Sequence, residues 1–258
     1  MTFGLDRRMP RRDGLSRAAT LWLPLAVAAA PVLMAAWAAW HLATGAQGLS
    51  GGYHLTANFL NAEQGPIELG TALVLVIALV AGLRAAWLAV LDARNLLLAW
   101  LALTCLGILY FAGEELSWGQ QLFAWETGDW FKARNDQQET NFHNMSALLD
   151  QLPRNLLLLW CLVGGVLAPL YEHAHGGFAP RGWAYWVWPT RAALLPALLV
   201  LLARLPEDMV DLFAVSAESR LRWILLPLSW SEVQELLVAC FLLVYTLSLH
   251  RRLAREIG

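Results

Sequence analysis

The chain has 258 residues, of which 58% are hydrophobic and 15% charged, with a formal net charge of −2 and a mean hydropathy of +0.49. That make-up excludes an ordinary water-soluble domain. No basic face interleaved with aromatics stands out, which argues against nucleic acid as a partner.

A helix needs about 20 apolar residues to cross the ~30 Å hydrocarbon core. Six stretches qualify, at about 21–40, 68–90, 96–114, 155–171, 190–205 and 231–249, the fifth being the shortest. The expected fold is all-α: a polytopic transmembrane helix bundle over 21–250, with short interfacial helices on the outer side. A basic arm (1–20) precedes it and a short tail (251–258) follows. The arm carries Arg7, Arg8, Arg11, Arg12 and Arg17. Arg84 and Arg94 lie between spans two and three, Arg181 and Arg191 between four and five, and Arg251, Arg252 and Arg255 after six. The alternate loops hold only Lys132, Arg134, Arg220 and Arg222, with Arg154 and Arg204 at helix ends. This excess of cations predicts an inner-membrane protein with both termini cytoplasmic.

The first span is too long for a signal-peptide core and is expected to stay as an anchor. Its outer loop, 41–67, contains no Lys or Arg and ends in Glu63-Gln-Gly-Pro-Ile-Glu68. Pro66 suits the first turn of the second span, and Glu68 suits the positive end of its dipole. The three cysteines (Cys105, Cys161, Cys240) fall inside spans and read as small buried hydrophobes.

The third span runs into Gly113-Glu114-Glu115-Leu-Ser117-Trp118-Gly-Gln-Gln121, the start of the most polar stretch of the chain, 113–144. Continued as a helix, it would place Glu114, Ser117, Trp118 and Gln121 on one face with Glu115 on the flank. Two glutamates at a helix C-terminus oppose the dipole and need a compensating partner. Asn135 to Asn144 (NDQQETNFHN) follows, where Glu139 and His143 share a side in either a strand or a helix. The bland alternative is a polar loop whose Asn residues cap the next helix.

Span four ends in His173-Ala-His175, expected to be a solvated loop. Trp183, Trp186 and Trp188 are expected to form an aromatic belt at the inner interface. Span six opens with Ser229-Trp-Ser-Glu232-Val-Gln-Glu235, whose Ser229 and Glu232 fit a capping box. Glu235 lies deeper and is expected to face the bundle interior with a partner.

In this topology every carboxylate except Asp6, Asp13, Asp92, Glu172 and Glu256 lies on the outer side. Three chemistries suit such a site. Glu114, Glu115, Glu139, His143 and Glu235 could ligate a divalent metal, zinc or similar, that activates water. Alternatively Glu114 or Glu115 could act as a metal-free base, with His143 or Asn141 as orienter. The same carboxylates could instead bind and release protons or cations during transport. In the first two cases Glu114, Glu115 and His143 would be catalytic, with Ser117, Trp118, Gln121 and Asn141 as hydrogen-bonding partners.

The order Glu-x-Gly-Pro-Ile-Glu, Gly-Glu-Glu-x-Ser-Trp-Gly-Gln and Gln-x-Glu-Thr-Asn-x-His-Asn resembles a family of bacterial multi-pass membrane proteins that carries no known activity. The resemblance covers roughly residues 60–150. The glutamate pair with His143 is also similar to intramembrane CAAX-protease-like enzymes, although Gly119 stands where their motif has Arg. Alkaline-ceramidase-like hydrolases use three His ligands, and only His41, His54 and His143 lie on the outer side. The leading expectation is an outward-facing membrane hydrolase of lipid or membrane-peptide substrates, metal-assisted. The alternatives are a proton- or cation-coupled transporter or ion-binding protein, or a structural or assembly role without catalysis.

Overall fold

The computed structural model describes residues 14–44, 65–135, 139–142, 145–179, 182–216, 219, 222, 226 and 229–257. The chain is all-helical, with no strand among the described residues. The first helix, α1 (Leu23–Thr44), continues from a π-helical turn at Ala18–Trp22. Next come α2 (Pro66–Leu91) and α3 (Asn95–Glu115), followed by the short α4 (Gln120–Phe123) and α5 (Asp129–Lys132). A further rod consists of α6 (Ala147–Trp160), a π-helical stretch Cys161–Leu167 and α7 (Ala168–His175). After it come α8 (Trp183–Val187), α9 (Leu194–Leu202), α10 (Leu205–Leu212) and the long α11 (Trp230–Ile257).

Five segments are long and apolar enough to cross a bilayer: Pro66–Leu91, Asn95–Glu115, Gln151–His175, Trp183–Leu212 and Trp230–Ile257. With the apolar α1 they make up the expected bundle of about six spans. At ~1.5 Å per residue the 21 residues of α3 span about 31 Å, just the hydrocarbon thickness. The fifth span is longer than 190–205 and broken, with α9 and α10 separated by a turn at Ala203–Arg204. The sixth extends through most of the expected tail, to Ile257.

The last helix is the core. Leu237, Phe241, Tyr245, Leu249 and Leu253 of α11 are almost wholly buried. The face of α2 turned inward is a run of small residues: Thr71, Ala72, Ala78, Ala81, Gly82, Ala85 and Ala89, with Leu75 among them. Its larger residues, such as Leu73, Val76, Val80 and Leu83, face outward. In lipid there is no hydrophobic drive between helices, so close backbone approach through small residues supplies the packing. A Cβ on Gly82 would stand 2.8 Å from Cys105 Sγ, which shows how tightly α2 meets α3. Likewise Gly165 lets the π-helical stretch approach α9 and α11, since a Cβ there would lie 2.4 Å from Ala197 Cβ. All three cysteines are buried and unpaired, as expected.

The aromatic belt is only partly as expected. Trp183 is exposed, but Trp186 is buried and Trp188 stacks on Trp160 with ring centroids 5.4 Å apart. Polar groups decide this. Trp100 Nε1 donates to Tyr245 Oη at 2.6 Å, and Tyr245 Oη donates to Val187 O at 2.7 Å, drawing the 183–189 segment into the bundle. Arg252, itself buried, donates to the carbonyls of Tyr185 and Trp186, while Arg94 lies 4.4 Å over the Trp186 ring.

The two ends of the bundle differ chemically. One gathers Arg94, Arg251, Arg252 and Arg255, with Arg251 donating to Gly14 O at 2.8 Å, so the described start of the chain meets the end of α11. The opposite end gathers the starts of α2, α6 and α11 and the end of α3, and it carries the glutamates.

Candidate functional site

At the end of α3 the helix does not continue, contrary to the expectation of one face through Gln121. Ser117 (φ 45°), Trp118 (φ 56°) and Gly119 (φ 99°) follow one another in the left-handed region. Only glycine adopts it at little cost, so Ser117 and Trp118 must be held there by their contacts. Those contacts are visible. The Trp118 ring folds back over Gly113, where a Cβ would lie 2.9 Å from the ring, and Trp118 Nε1 donates to Glu114 Oε1 at 2.7 Å. Ser117 Oγ donates to Glu139 Oε2 at 2.9 Å.

The second half of the polar stretch forms neither the expected strand nor a helix in its described part; it is a loop fastened to this turn. Glu114 Oε2 accepts from Phe142 N at 2.7 Å, and Gln120 Oε1 accepts from Thr140 N at 2.6 Å. Asn141 Nδ2 donates to Glu139 Oε2 at 2.6 Å and lies 3.3 Å from Ser117 Oγ. Asn135 Nδ2 donates to Asn141 Oδ1 at 2.6 Å, and Gln120 Nε2 donates to Thr127 Oγ1 at 2.6 Å. Glu114, Ser117, Asn135 and Asn141 are all buried. Buried polar groups must be satisfied, and this closed network satisfies them. Much of the 113–142 motif is therefore explained by one local fold: Gly113 makes room for Trp118, Glu114 ties Trp118 to Phe142, and Ser117 ties Glu139 to Asn141. The following helix is capped by Ser146, whose Oγ accepts from Leu149 N at 3.3 Å, not by an Asn.

Glu115 belongs to a different neighbourhood. It turns away from this network towards the bundle, where its carboxyl lies near that of Glu235. Glu232 and Glu68 are within coulombic range of it as well. Glu235 has the partner that its depth demanded, a 2.6 Å ion pair with Arg154 Nη2 from α6. Four glutamates from three helices and one arginine from a fourth thus lie within electrostatic range of one another at one end of the bundle. Two of them have separate helical reasons for their positions. Glu68 sits in the first turn of α2, behind Pro66, and Glu232 in the first turn of α11, where its N–H meets Ser229 Oγ at 3.4 Å. Both favour the positive end of a helix dipole, whereas Glu115 lies at the negative end of α3.

Glu114 and Glu115, expected to act together, are therefore divided between two assemblies. Glu139, Ser117, Trp118 and Asn141 go with Glu114, and Glu235 goes with Glu115. His143 and the side chain of Gln121 lie outside the described residues. Among the described residues, no three His, Cys, Asp or Glu side chains come together in an arrangement that could hold a metal ion. Sequence reasoning missed three contributors. Arg154 is the cation of the glutamate cluster, Gln120 is a two-handed link in the loop network, and Glu207 accepts from Trp230 N at 2.9 Å and Ser231 N at 3.2 Å to cap α11. An Arg at the start of the apolar run Leu156–Trp160 was the available signal for the first. No protein-family model, curated protein or solved structure matches the chain.

Proposed function

We propose that this multi-pass membrane protein is a proton-coupled transporter or ion-binding protein, with the proton held between Glu115 and Glu235. The observation that carries the reading is the approach of these two carboxyls beside the ion pair that Glu235 makes with Arg154. Two carboxyls that hydrogen-bond to each other hold a proton between them, because an ionised carboxylate can only accept. Like charges that close cannot both ionise cheaply, which is the arrangement of shared-proton dyads. Ionisable groups between membrane helices are costly and mark ion pathways by default. Loss of the proton would add a charge among Glu68, Glu232 and Glu235 and drive α3 from α2 and α11, so that protonation and helix movement are linked. The cation-rich end, with Arg94, Arg251 and Arg255, would be cytoplasmic and the glutamate end outside. The test is proton movement into vesicles containing the reconstituted protein under an imposed pH gradient. Glu115→Gln and Glu235→Gln should abolish it while Glu114→Gln leaves it in place; equal movement in all three variants would reject the reading.

A second reading, a hydrolase of lipid or membrane-peptide substrates, is favoured by the strained turn. Ser117 at φ 45° presents its hydroxyl to Glu139 at 2.9 Å, with Asn141 as orienter, a nucleophile–base–orienter order. A serine-reactive phosphonate probe that labels the wild type but not Ser117→Ala would support it, and absence of labelling in both would remove it.

A further inference from the structure

At the opposite end of the bundle from the glutamates, a cavity of about 360 Å³ opens on the membrane-facing side between α2 and α11. It is lined by Val80, Leu83, Arg84, Trp87, Leu88 and His250. Val80, Leu83, Arg84 and Trp87 recur at i, i+3, i+4 and i+7, so they form one stripe of α2, on the face away from its small-residue contact with the core. Arg84 is the one charged residue in the interior of that 26-residue apolar helix. It lies 16 residues beyond Glu68, or about 24 Å along the axis at ~1.5 Å per residue. With Glu68 at one membrane boundary, this sets the guanidinium just inside the other, within reach of the headgroup level along its own stem.

Arg84 and His250 bring their polar groups to it from the two helices. Arg84 and Arg251 are both in electrostatic range of the His250 ring. Two acids of this end are engaged elsewhere: Asp92 with Arg94, and Glu256 with Arg94 at 3.2 Å. Among the described residues no carboxylate pairs with Arg84 or His250. Trp87, 64% exposed, stands one turn nearer the helix end than Leu83, where an indole prefers the interface. An apolar trough topped by Arg84 and His250, open to lipid, matches an amphiphile with one apolar tail and an anionic head.

We propose that this groove is a binding site for an anionic phospholipid, with Arg84 and His250 donating to the phosphate and an acyl chain lying along Val80, Leu83 and Trp87. The neutral His250 ring still has one N–H to donate, so the contact does not require its protonation. A basic residue near a membrane surface favours anionic lipid by about fivefold, the equivalent of about 1 kcal/mol.

Native mass spectrometry of the intact chain in mild detergent tests this, with dioleoyl-phosphatidylglycerol and dioleoyl-phosphatidylcholine titrated separately. The first phosphatidylglycerol should bind at least about fivefold more tightly than phosphatidylcholine. Arg84→Gln should reduce that preference to near unity, His250→Ala should weaken it, and Arg84→Lys should retain most of it. Arg255→Gln, at the same end but outside the groove, should leave it unchanged. Inorganic phosphate in excess should not displace the lipid, because it lacks the chain. Equal binding of the two lipids, or loss of preference in Arg255→Gln as large as in Arg84→Gln, would overturn the proposal in favour of general surface charge. Arg84 is exposed, so its replacement leaves the helix contacts of α2 in place.

Discussion

Adding one methyl group at Gly113 tests how the polar turn is built. The ideal Cβ would lie 2.9 Å from two atoms of the Trp118 ring, inside any real carbon contact, so the indole must leave the surface of α3. In leaving it breaks the 2.7 Å bond to Glu114 and loosens the carboxylate that holds Phe142 N. Overpacking costs about 1–3 kcal/mol, and a lost hydrogen bond to a charged group costs about 1.5–3 kcal/mol. Against these, Ala replaces Gly in a helix with a gain of about 1 kcal/mol. The net loss for Gly113→Ala is thus about 1.5–5 kcal/mol. Gly107, in the same helix, has nothing within 4 Å of its Cβ position, so Gly107→Ala should be neutral or stabilising by up to about 1 kcal/mol. Equilibrium unfolding in mixed micelles, with the two variants side by side, reads the difference directly. Similar stabilities for the two would refute the folding of Trp118 onto Gly113.

Other substitutions probe the remaining contacts. Arg154→Gln leaves Glu235 beside Glu115 without its cation; since the pair is about one-fifth exposed, the cost should fall between the surface and buried limits, at about 1–3 kcal/mol. A double-mutant cycle with Glu235→Gln should recover most of that loss, and additive losses would show that the ion pair contributes nothing. Tyr245→Phe strands the half-buried Trp100 Nε1–H and should cost about 1–3 kcal/mol in thermal unfolding, whereas an unchanged Tm would mean another acceptor serves the indole. Glu207→Ala removes the acceptor for two N–H groups at the start of α11 and should destabilise by about 0.5–2 kcal/mol, visible as faster hydrogen exchange at Trp230 and Ser231.

The spans were legible because hydropathy reports on the bilayer, and their ends fall within a few residues of the expected ones for α2 and α3. Which face of each span turns inward was not, since both faces are apolar. In α2 residue size separates them, with Ala78, Ala81, Gly82 and Ala85 inside and Leu73, Val76 and Leu83 outside. The polar stretch was recognisable as the most structured chemistry of the chain, but its geometry was not. Helical periodicity carried past Glu115 fails at three successive left-handed residues, and only one of them, Gly119, signals that conformation by its identity. Period also hid the division of the glutamate pair. Adjacent helical residues point about 100° apart, enough to send Glu114 to the loop and Glu115 to the bundle. Depth alone requires a partner for Glu235, but that the partner is Arg154 follows only from the packing of α6 beside α11.

The proton proposed to lie between Glu115 and Glu235 is best tested by infrared difference spectroscopy on the protein in lipid, comparing neutral with strongly alkaline buffer. The wild type should show a protonated carboxyl band at neutral pH that is lost on alkalinisation, and the band should be missing in both Glu115→Gln and Glu235→Gln but present in Glu114→Gln. A wild-type spectrum with only ionised carboxylates at neutral pH, or a band that survives both substitutions, would contradict the account.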